Sequence, residues 1–277
     1  MRLNMLLGTA LLSAVCVAST TAQEIFRDDF DNAWDHTQFG GSVAPGSIWN
    51  GVLNANNGGG SFASGGGELT MGISNTGWEG GGRDDARFIY RNVDASQLAS
   101  VTTKISSQTQ GFWSNSGIMV RVPGPVDADG SNDDLVTASA FAVGIDDTGA
   151  PRGFGTGYAV QANVVVGGVE AETNVSDLTP DDLMWLRIEN QGGGDFEIFS
   201  SNDGSTWASR GIKSNPAMAA GALQVGVWGG TFGELADAST SFDWVEIRTV
   251  PEPTSMALGL SAVAIWSASA ALRRRQA

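Results

Sequence analysis

Short apolar runs separated by Gly, Asn, Asp and Ser fill residues 23–250, and no long stretch has helical periodicity. Residues 87–93 alternate apolar and polar side chains, which is the pattern of a strand with one buried face. Several further runs predict strands in the same way. They lie at residues 101–107, 117–121, 138–145, 158–166, 223–229 and 242–249.

Two turn signals organise the second half of the chain. Three glycines at 192–194 separate residues 185–190 from 195–201, which predicts a hairpin. Asn202-Asp203-Gly204-Ser205 predicts the next turn, because glycine adopts positive φ without steric cost. Only residues 181–183 and 216–220 resemble helical turns. About twelve strands without a Gly/Ser linker predict one all-β sandwich over residues 23–249.

Both ends of the chain have the pattern of export signals. Residues 1–22 combine Arg2, an apolar run and small residues up to Ala22, which predicts a secretory signal peptide. A buried helix, or a lipoprotein modified at Cys16, are the alternatives. At the other end, residues 256–272 are apolar and uncharged, and at about 1.5 Å rise per residue they approach the thickness of a bilayer core.

The last 28 residues resemble the PEP-CTERM sorting signal. Its parts are a Pro-Glu-Pro motif, one membrane helix and a basic tail, represented here by Pro251, Glu252 and Pro253, by residues 256–272, and by Arg273, Arg274 and Arg275. The resemblance implies export and processing by an exosortase-type peptidase. It also implies a final location at the cell surface or in the extracellular matrix of a Gram-negative bacterium, after transient anchoring in the inner membrane. A plain membrane anchor is the alternative.

Composition narrows the possible partners. The chain carries 15 Lys and Arg against 30 Asp and Glu, a formal net charge of −15. This charge opposes binding to nucleic acid, whose affinity comes largely from Lys and Arg contacts to phosphate. Glycine, with 38 residues, is about twice the usual ~7% share. Cys16 is the only cysteine and lies in the N-terminal apolar run, so the mature part has no thiol chemistry.

The strand motifs resemble the concanavalin A-like lectin/glucanase sandwich of the laminin-G-like and β-xylosidase C-terminal type. The matching motifs are Asp28-Asp29-Phe30-Asp31 and residues 117–121, 185–189, 203–204 and 242–247. The resemblance implies a jelly roll of two antiparallel sheets whose first and last strands are adjacent.

The same family contains glycoside hydrolases, which need two carboxylates across the scissile bond. The resemblance implies a Glu-x-Asp-x-Glu type of motif, and none occurs here. Glu170 and Glu172 share a strand face without a third acid, and the spacing of Asp243 and Glu246 places them on opposite faces. His36 is the only histidine and is interpreted as a loop or packing residue. The sequence therefore favours a protein that is not an enzyme.

Two acidic runs are candidate calcium sites, because Ca²⁺ takes six to eight oxygen ligands. A solvated acidic loop is the alternative for the first run, which has no Glu at the twelfth position of an EF-hand-like loop. The candidate ligands are Asp127, Asp129, Asp133 and Asp134 in the first run, and Asp28, Asp29 and Asp31 in the second.

Tryptophans are the candidate sugar-stacking residues. Trp78 and Trp113 are flanked by Gly, Ser and Asn, which predicts exposed positions on loops or rims. Arg121 follows an apolar strand and is interpreted as either a paired structural arginine or a rim contact. The tryptophans inside the strand motifs are predicted to be core residues instead. They are Trp185, Trp207 and Trp244.

These observations predict an exported, non-catalytic module that binds carbohydrate or exopolysaccharide and possesses no nucleic-acid partner. Calcium is the one candidate cofactor. A glycoside hydrolase of the same fold, and a structural surface protein without a specific ligand, remain the alternatives.

Overall fold

A computed structural model describes residues 24–39, 42–79, 83–109, 114–124, 134–142, 158–175, 184–231 and 238–250. No helix within these ranges is long and apolar enough to cross a membrane. The predicted signal peptide at residues 1–22 and the predicted sorting segment at residues 250–277 lie outside the described residues, apart from Val250.

Eighteen strands and two short 3-10 helices make up the described residues. The strands of the first half are β1 Glu24–Asp28, β2 Trp34–Asp35, β3 Gly51–Leu53, β4 Phe62–Gly65, β5 Glu68–Gly72, β6 Trp78–Glu79, β7 Arg83–Asp84, β8 Arg87–Asp94 and β9 Leu98–Gln108. Those of the second half are β10 Ser114–Arg121, β11 Leu135–Ala142, β12 Tyr158–Val166, β13 Val169–Val175, β14 Met184–Gly192, β15 Asp195–Ser201, β16 Ala208–Ser214, β17 Ala222–Thr231 and β18 Ser239–Thr249. The 3-10 helices are His36–Phe39 and Pro216–Met218.

The strands form two large antiparallel sheets and one small hairpin. The nine-stranded sheet has the order β16-β15-β14-β9-β18-β5-β4-β2, with β1 also paired to β18. The seven-stranded sheet has the order β13-β12-β11-β10-β17-β8-β3, and β6 pairs with β7. The predictions of an all-β, two-sheet antiparallel sandwich and of the hairpin β14–β15 are confirmed.

The first and last strands are neighbours, as the family resemblance implied. Glu24 pairs with Thr249 and Asp28 with Val245, so the two ends of the described region run side by side. Strand β9 pairs along the other edge of β18. The last strand therefore lies in the interior of the sheet, and its main-chain groups form hydrogen bonds along both of its edges.

The main core lies between the two large sheets. Alternate residues of each strand point into it, for example Ile118 and Val120 of β10 and Leu186 and Ile188 of β14. A second apolar cluster lies on the opposite face of the seven-stranded sheet, around Trp228. Strands β10 and β11 are consequently buried on both faces, which explains why their sequences read as nearly continuous runs of small and apolar residues.

Four tryptophan positions predicted from the sequence are wrong, that of Trp78 and those of the three tryptophans in the strand motifs. Trp78 was expected on a rim, but it is 1% exposed and belongs to the second apolar cluster. The three strand tryptophans were expected in the core, but they are only half-buried on the solvent side of the nine-stranded sheet. These residues are Trp185, Trp207 and Trp244. Trp185 and Trp244 are each followed by a buried strand residue, so their indoles point out of the sheet, whereas Trp207 lies in the turn before β16.

Arg87 is a buried cation held by main-chain carbonyl groups. It is 2% exposed, and its guanidinium lies 5.3 Å from the ring centroid of Phe62. Burial lowers the pKa of Arg87 to about 10, which leaves it charged at neutral pH. Its donors bind the carbonyl oxygens of Ala55 at 3.1 Å, Gly59 at 3.0 Å, Gly60 at 3.4 Å, Ser61 at 2.7 Å and Gly72 at 3.3 Å.

This carbonyl cage requires close backbone approach. A Cβ at Gly72 would lie 1.7 Å from the carbonyl oxygen of Gly59, so no other residue fits there without displacing the loop. Gly58, Gly59 and Gly60 all have positive φ, which L side chains rarely adopt. The glycine run therefore folds around Arg87 for a steric reason that its composition alone does not reveal.

We expect Arg87→Met to lower the free energy of unfolding by about 3 kcal/mol or more, because each buried carbonyl left without a donor costs ~1–3 kcal/mol. Urea unfolding followed by tryptophan fluorescence measures the change. Arg91→Met is the matched control, since half-buried Arg91 donates to one described carbonyl, that of Ile48, and packs on Phe26. An equal loss of unfolding free energy in both variants would show that the carbonyl cage contributes no more than the contacts of Arg91.

His36 is a packing residue, as interpreted from the sequence. It is 1% exposed, with its ring centroid 5.0 Å from Phe62 and 6.4 Å from Trp34. Neither ring nitrogen has a hydrogen-bond partner among the residues that the structure describes. Burial lowers the pKa of His36, while the nearby carboxylates of Asp28 and Asp35 act in the opposite direction.

A histidine whose pKa is lowered on folding makes stability depend on pH. The unfolded chain takes up a proton near pH ~6.5 that the folded chain takes up only at lower pH. The contribution is therefore complete above pH ~6.5 and is lost as the pH falls through the lowered pKa. We expect the melting temperature of the wild type to fall more steeply below pH ~6.5 than that of His36→Phe. His36 is the only histidine, so parallel curves would contradict this assignment.

Candidate functional site

The outward side of the seven-stranded sheet carries amide and hydroxyl side chains beside aromatic rings. Residues of its strands that alternate with the core positions face this side, and we call them the amide-rich face. The face consists of Phe88 and Tyr90 on β8, Asn115, Met119 and Arg121 on β10, Thr137 and Ser139 on β11, Gln161 and Asn163 on β12, and Gln224 and Trp228 on β17.

Strand register brings the polar members together. Thr137 lies opposite Asn163, and Ser139 lies opposite Gln161. Directly opposed residues of an antiparallel pair have Cβ atoms about 4.5–5.5 Å apart. The Ser139 hydroxyl also donates to Asn115 Oδ1 at 3.2 Å. Five hydrogen-bonding side chains thus lie within three adjacent strands.

Three polar atoms of this face are buried without a hydrogen-bond partner within the described part of the chain. They are Thr137 Oγ1, Asn163 Oδ1 and Trp228 Nε1. The residues are 1%, 4% and 3% exposed, so bulk water does not satisfy these atoms and a ligand reaches them only when the face opens locally. An unsatisfied buried polar group costs about 1–3 kcal/mol, and such groups are rare in folded proteins. The face therefore has an unused hydrogen-bond acceptor, Asn163 Oδ1, and an unused donor, Trp228 Nε1. This combination suits a ligand that can both donate and accept hydrogen bonds.

An aromatic cluster forms the other end of the face. Trp78 lies edge-on to Phe88 with ring centroids 6.2 Å apart, and its Nε1 donates to the carbonyl oxygen of Ala86 at 2.9 Å. Its ring is covered by the Arg121 guanidinium, 4.9 Å from the ring centroid. Because Trp78 is only 1% exposed, it offers no ring for a sugar, and its predicted role as a stacking platform does not fit its position.

Arg121 connects the two ends of the amide-rich face. It is 1% exposed, and its Nη1 donates to Gln224 Oε1 at 3.3 Å. The register places the two residues directly opposite each other on β10 and β17. Arg121 thus lies buried within the face, which agrees with the paired structural arginine and not with the rim contact, the two roles that the sequence left open.

Gly117 allows the close approach of β10 and β11. Gly117 lies directly opposite Trp228, and a Cβ at Gly117 would come within 2.0 Å of the carbonyl oxygen of Ala138. Any larger residue at 117 would push β10 away from β11. The sequence showed Gly117 only as part of a buried strand, because register was needed to reveal its partner.

The four central strands of this sheet supply no carboxylate. Strands β10, β11, β12 and β17 contain neither Asp nor Glu. Glu170 lies exposed on the edge strand β13, and the side chain of Glu172 is outside the described residues. Asp243 and Glu246 are on the other sheet, paired with Lys104 and with Arg27. Within the described residues, the amide-rich face therefore lacks the carboxylate pair that glycoside hydrolysis requires.

A surface cavity of about 420 Å³ lies at the end of the nine-stranded sheet, near Val250. Its lining includes Ser96, Asn190 and one carboxylate, Glu189. The Asn190 amide already donates to the carbonyl oxygens of Ala95 and Leu98 at 2.8 and 3.1 Å. The lining of this cavity therefore offers one carboxylate, Glu189, and an amide that already binds main-chain carbonyl groups. Glycoside hydrolysis requires two carboxylates.

The predicted calcium ligands are only partly within the described residues. Asp127, Asp129 and Asp133, like Trp113, lie outside them. Asp134 accepts from Gly167 N at 3.0 Å and from Asn215 Nδ2 at 3.2 Å.

The second acidic run is engaged in local contacts. Asp28 accepts from Phe30 N at 2.8 Å and from Trp49 Nε1 at 2.7 Å. Asp29 pairs with Arg27 at 2.6 Å, and Asp31 is exposed. In the described ranges no three or more acidic, His or Cys residues are grouped to hold a metal. Asp28 thus closes the end of β1, and Asp29 forms an ion pair with Arg27.

Solved structures share this architecture. A functionally unknown protein from Saccharomyces cerevisiae has 18% identity and a TM-score of 0.50, with 67% of this chain and 89% of that chain covered. A Bacteroides ovatus protein described as "Xyloglucan PUL GH43B" has 14% identity and a TM-score of 0.51, with 81% of this chain and 39% of that chain covered. A Bacillus licheniformis β-glucanase has 16% identity and a TM-score of 0.43, with 82% and 98% covered.

At these identities the likeness shows the fold alone, an all-β sandwich of two antiparallel sheets. The chain spans about two fifths of the length of the Bacteroides protein. No family model matches the sequence, and no curated protein matches it either.

The unpaired hydroxyl of Thr137 can be tested by stability. We expect Thr137→Val to raise the free energy of unfolding by about 1 kcal/mol, because the isosteric methyl needs no hydrogen bond. Ser139→Ala is the control, since it removes a hydroxyl that donates to Asn115 and should lower stability. Chemical denaturation measures both. A loss of stability in Thr137→Val would mean that the hydroxyl already has a partner.

Proposed function

We propose that this protein is a non-catalytic carbohydrate-binding module that holds an uncharged polysaccharide on the amide-rich face. The observation that carries the proposal is the set of three buried, unpaired polar atoms, Thr137 Oγ1, Asn163 Oδ1 and Trp228 Nε1. They lie beside aromatic side chains on strands that contain no carboxylate.

Sugar hydroxyls match these atoms chemically. Each hydroxyl donates one hydrogen bond and accepts two, so a single class of group serves both Asn163 Oδ1 and Trp228 Nε1. Small-molecule sites are typically apolar and aromatic surfaces with a few fixed polar groups, which describes the mixture on this face. The net charge of −15 disfavours an acidic polymer, so the proposed ligand is neutral.

Glycoside hydrolysis is the second candidate, because the fold is shared with glycoside hydrolases. It requires an acid and a nucleophile or base about 5–9.5 Å apart. The support for binding over hydrolysis is the absence of acids from β10, β11, β12 and β17.

The proposal also includes residence outside the cell and the binding of calcium. Residues 1–22 and the Pro251 to Arg275 segment support export, exosortase-type processing and residence at the surface or in the matrix. Calcium held by the Asp127 to Asp134 run remains part of the proposal. The same experiment addresses the ion when it is repeated with calcium and with chelator.

Affinity electrophoresis of the full chain through gels of neutral polysaccharides, such as β-glucan, xyloglucan and mannan, tests the function. We expect Gln161→Leu and Asn163→Leu each to weaken retention about tenfold, the equivalent of one lost hydrogen bond in a desolvated site. Asn163→Leu should also unfold at an equal or higher denaturant concentration, because it removes an unpaired acceptor.

Gln191→Leu is the matched control, since Gln191 is exposed in the β14–β15 hairpin and donates to Glu197. Its retention should equal that of the wild type. Reducing-end release from the same polymers separates binding from hydrolysis. Retention of no polymer, or unchanged retention of Gln161→Leu and Asn163→Leu, would refute binding at this face. Release of reducing ends would favour the hydrolase.

A further inference from the structure

The solvent side of the nine-stranded sheet carries three half-buried tryptophans, each in contact with a cationic side chain. Lys104 of β9 lies opposite Trp185 of β14 on one side and opposite Trp244 of β18 on the other. Arg187, two residues along β14 from Trp185, extends the row towards Trp207. We call this row the tryptophan face.

Each ring is fixed by a stacked cation. The Lys104 ammonium lies 5.3 Å from the ring centroid of Trp185, and the Arg187 guanidinium lies 4.3 Å from that of Trp207. The Trp244 ring carries a guanidinium at 4.4 Å, that of Arg27. Such contacts contribute about 0.5–1 kcal/mol each at exposed sites. The rings are thereby held in place before any ligand arrives, which lowers the entropic cost of binding.

The cations of this row are themselves neutralised. Lys104 pairs with Asp243, Arg187 pairs with Glu189 at 3.0 Å, and Arg27 pairs with Asp29 at 2.6 Å. The face is close to electrically balanced, although the whole chain has a net charge of −15. A strongly charged ligand of either sign gains nothing here, and an uncharged one does.

A rigid turn borders the face. Gly204 has φ of +72°, and a Cβ there would lie 2.9 Å from Trp185 Nε1. The Asp203 carboxylate accepts from Ser205 N and Thr206 N, both at 2.7 Å, and these bonds lower the pKa of Asp203. The edge of the Trp185 ring is therefore closed by backbone, while its strand neighbours leave the row open towards solvent.

We propose that the tryptophan face is a second carbohydrate-binding surface, which takes an extended, uncharged polysaccharide chain across strands β18, β9 and β14. Trp185 and Trp244 are two strand spacings apart, about 10 Å, which is the length of a short oligosaccharide segment. The apolar C–H faces of sugar rings stack on the indoles, and their hydroxyls bind the paired carboxylates and cations between them.

A second copy of the chain fits this face less well. Interface cores are depleted in Lys, Asp and Glu, whereas Trp185 and Trp244 lie beside Lys104 and its partner Asp243. Lys104 and Asp243 keep 22% and 31% of their side chains exposed, and burying this pair in an interface would cost desolvation free energy. A dimer through this face is an outcome of the test below.

The test uses the full chain and the same gels of neutral polysaccharide. We expect Trp185→Ala and Trp244→Ala each to weaken retention about tenfold, because each removes one stacking ring. Trp244→Leu keeps apolar bulk without a π face, and it should behave like Trp244→Ala while melting close to the wild type. Arg248→Ala is the matched control on the same strand, since Arg248 is exposed and contacts Glu246 but no aromatic ring of the described residues.

The outcomes separate this surface from the amide-rich face. Loss in the tryptophan variants with normal retention of Asn163→Leu would support the tryptophan face and refute the other site. The reverse result would overturn this inference and leave the proposed function intact. Full retention of Trp244→Leu would also overturn it. A wild-type dimer that becomes monomeric in Trp244→Leu, measured by sedimentation, would replace the sugar with a second copy of the chain.

Discussion

The loop at one edge of the sandwich is organised by one buried guanidinium. Arg87 converges on carbonyl oxygens from residues 55–61 and from Gly72, and so connects β8 of one sheet to β5 of the other. A loop of glycines has no side chains with which to pack, and its carbonyl groups need donors when they are buried. Because Arg87 supplies those donors, the segment between β3 and β5 closes the core, and both sheets keep their alternation of inward and outward residues.

That alternation gives the sandwich two outward surfaces of different character. The amide-rich face is buried and leaves polar atoms unpaired, while the tryptophan face is half exposed and all its charges are paired. The first is suited to hydrogen bonding in a desolvated setting, where each bond carries more weight. The second is suited to stacking, which tolerates water and variation in the ligand.

Strand periodicity predicted the architecture, because the apolar runs and the Asp203-Gly204 turn are local signals. The family resemblance added the pairing of β1 with β18. The site was harder to predict because it depends on register: Asn163 and Thr137 become neighbours only when β11 and β12 pair. Flanking glycines placed Trp78 wrongly on a rim, and strand motifs placed Trp244 wrongly in the core. The residue types around a tryptophan do not show whether its side chain points into the core or out of the sheet.

The pairing of Glu24 with Thr249 brings both ends of the sandwich to the same point. Tension applied between those two ends would separate β1 from β18 by breaking their hydrogen bonds one after another. Tension between Thr249 and a polymer held on either face would instead load β18 lengthwise against β9, where many bonds must break together. A module that is attached through its last strand and binds a polymer is therefore loaded in the direction in which many hydrogen bonds must break together.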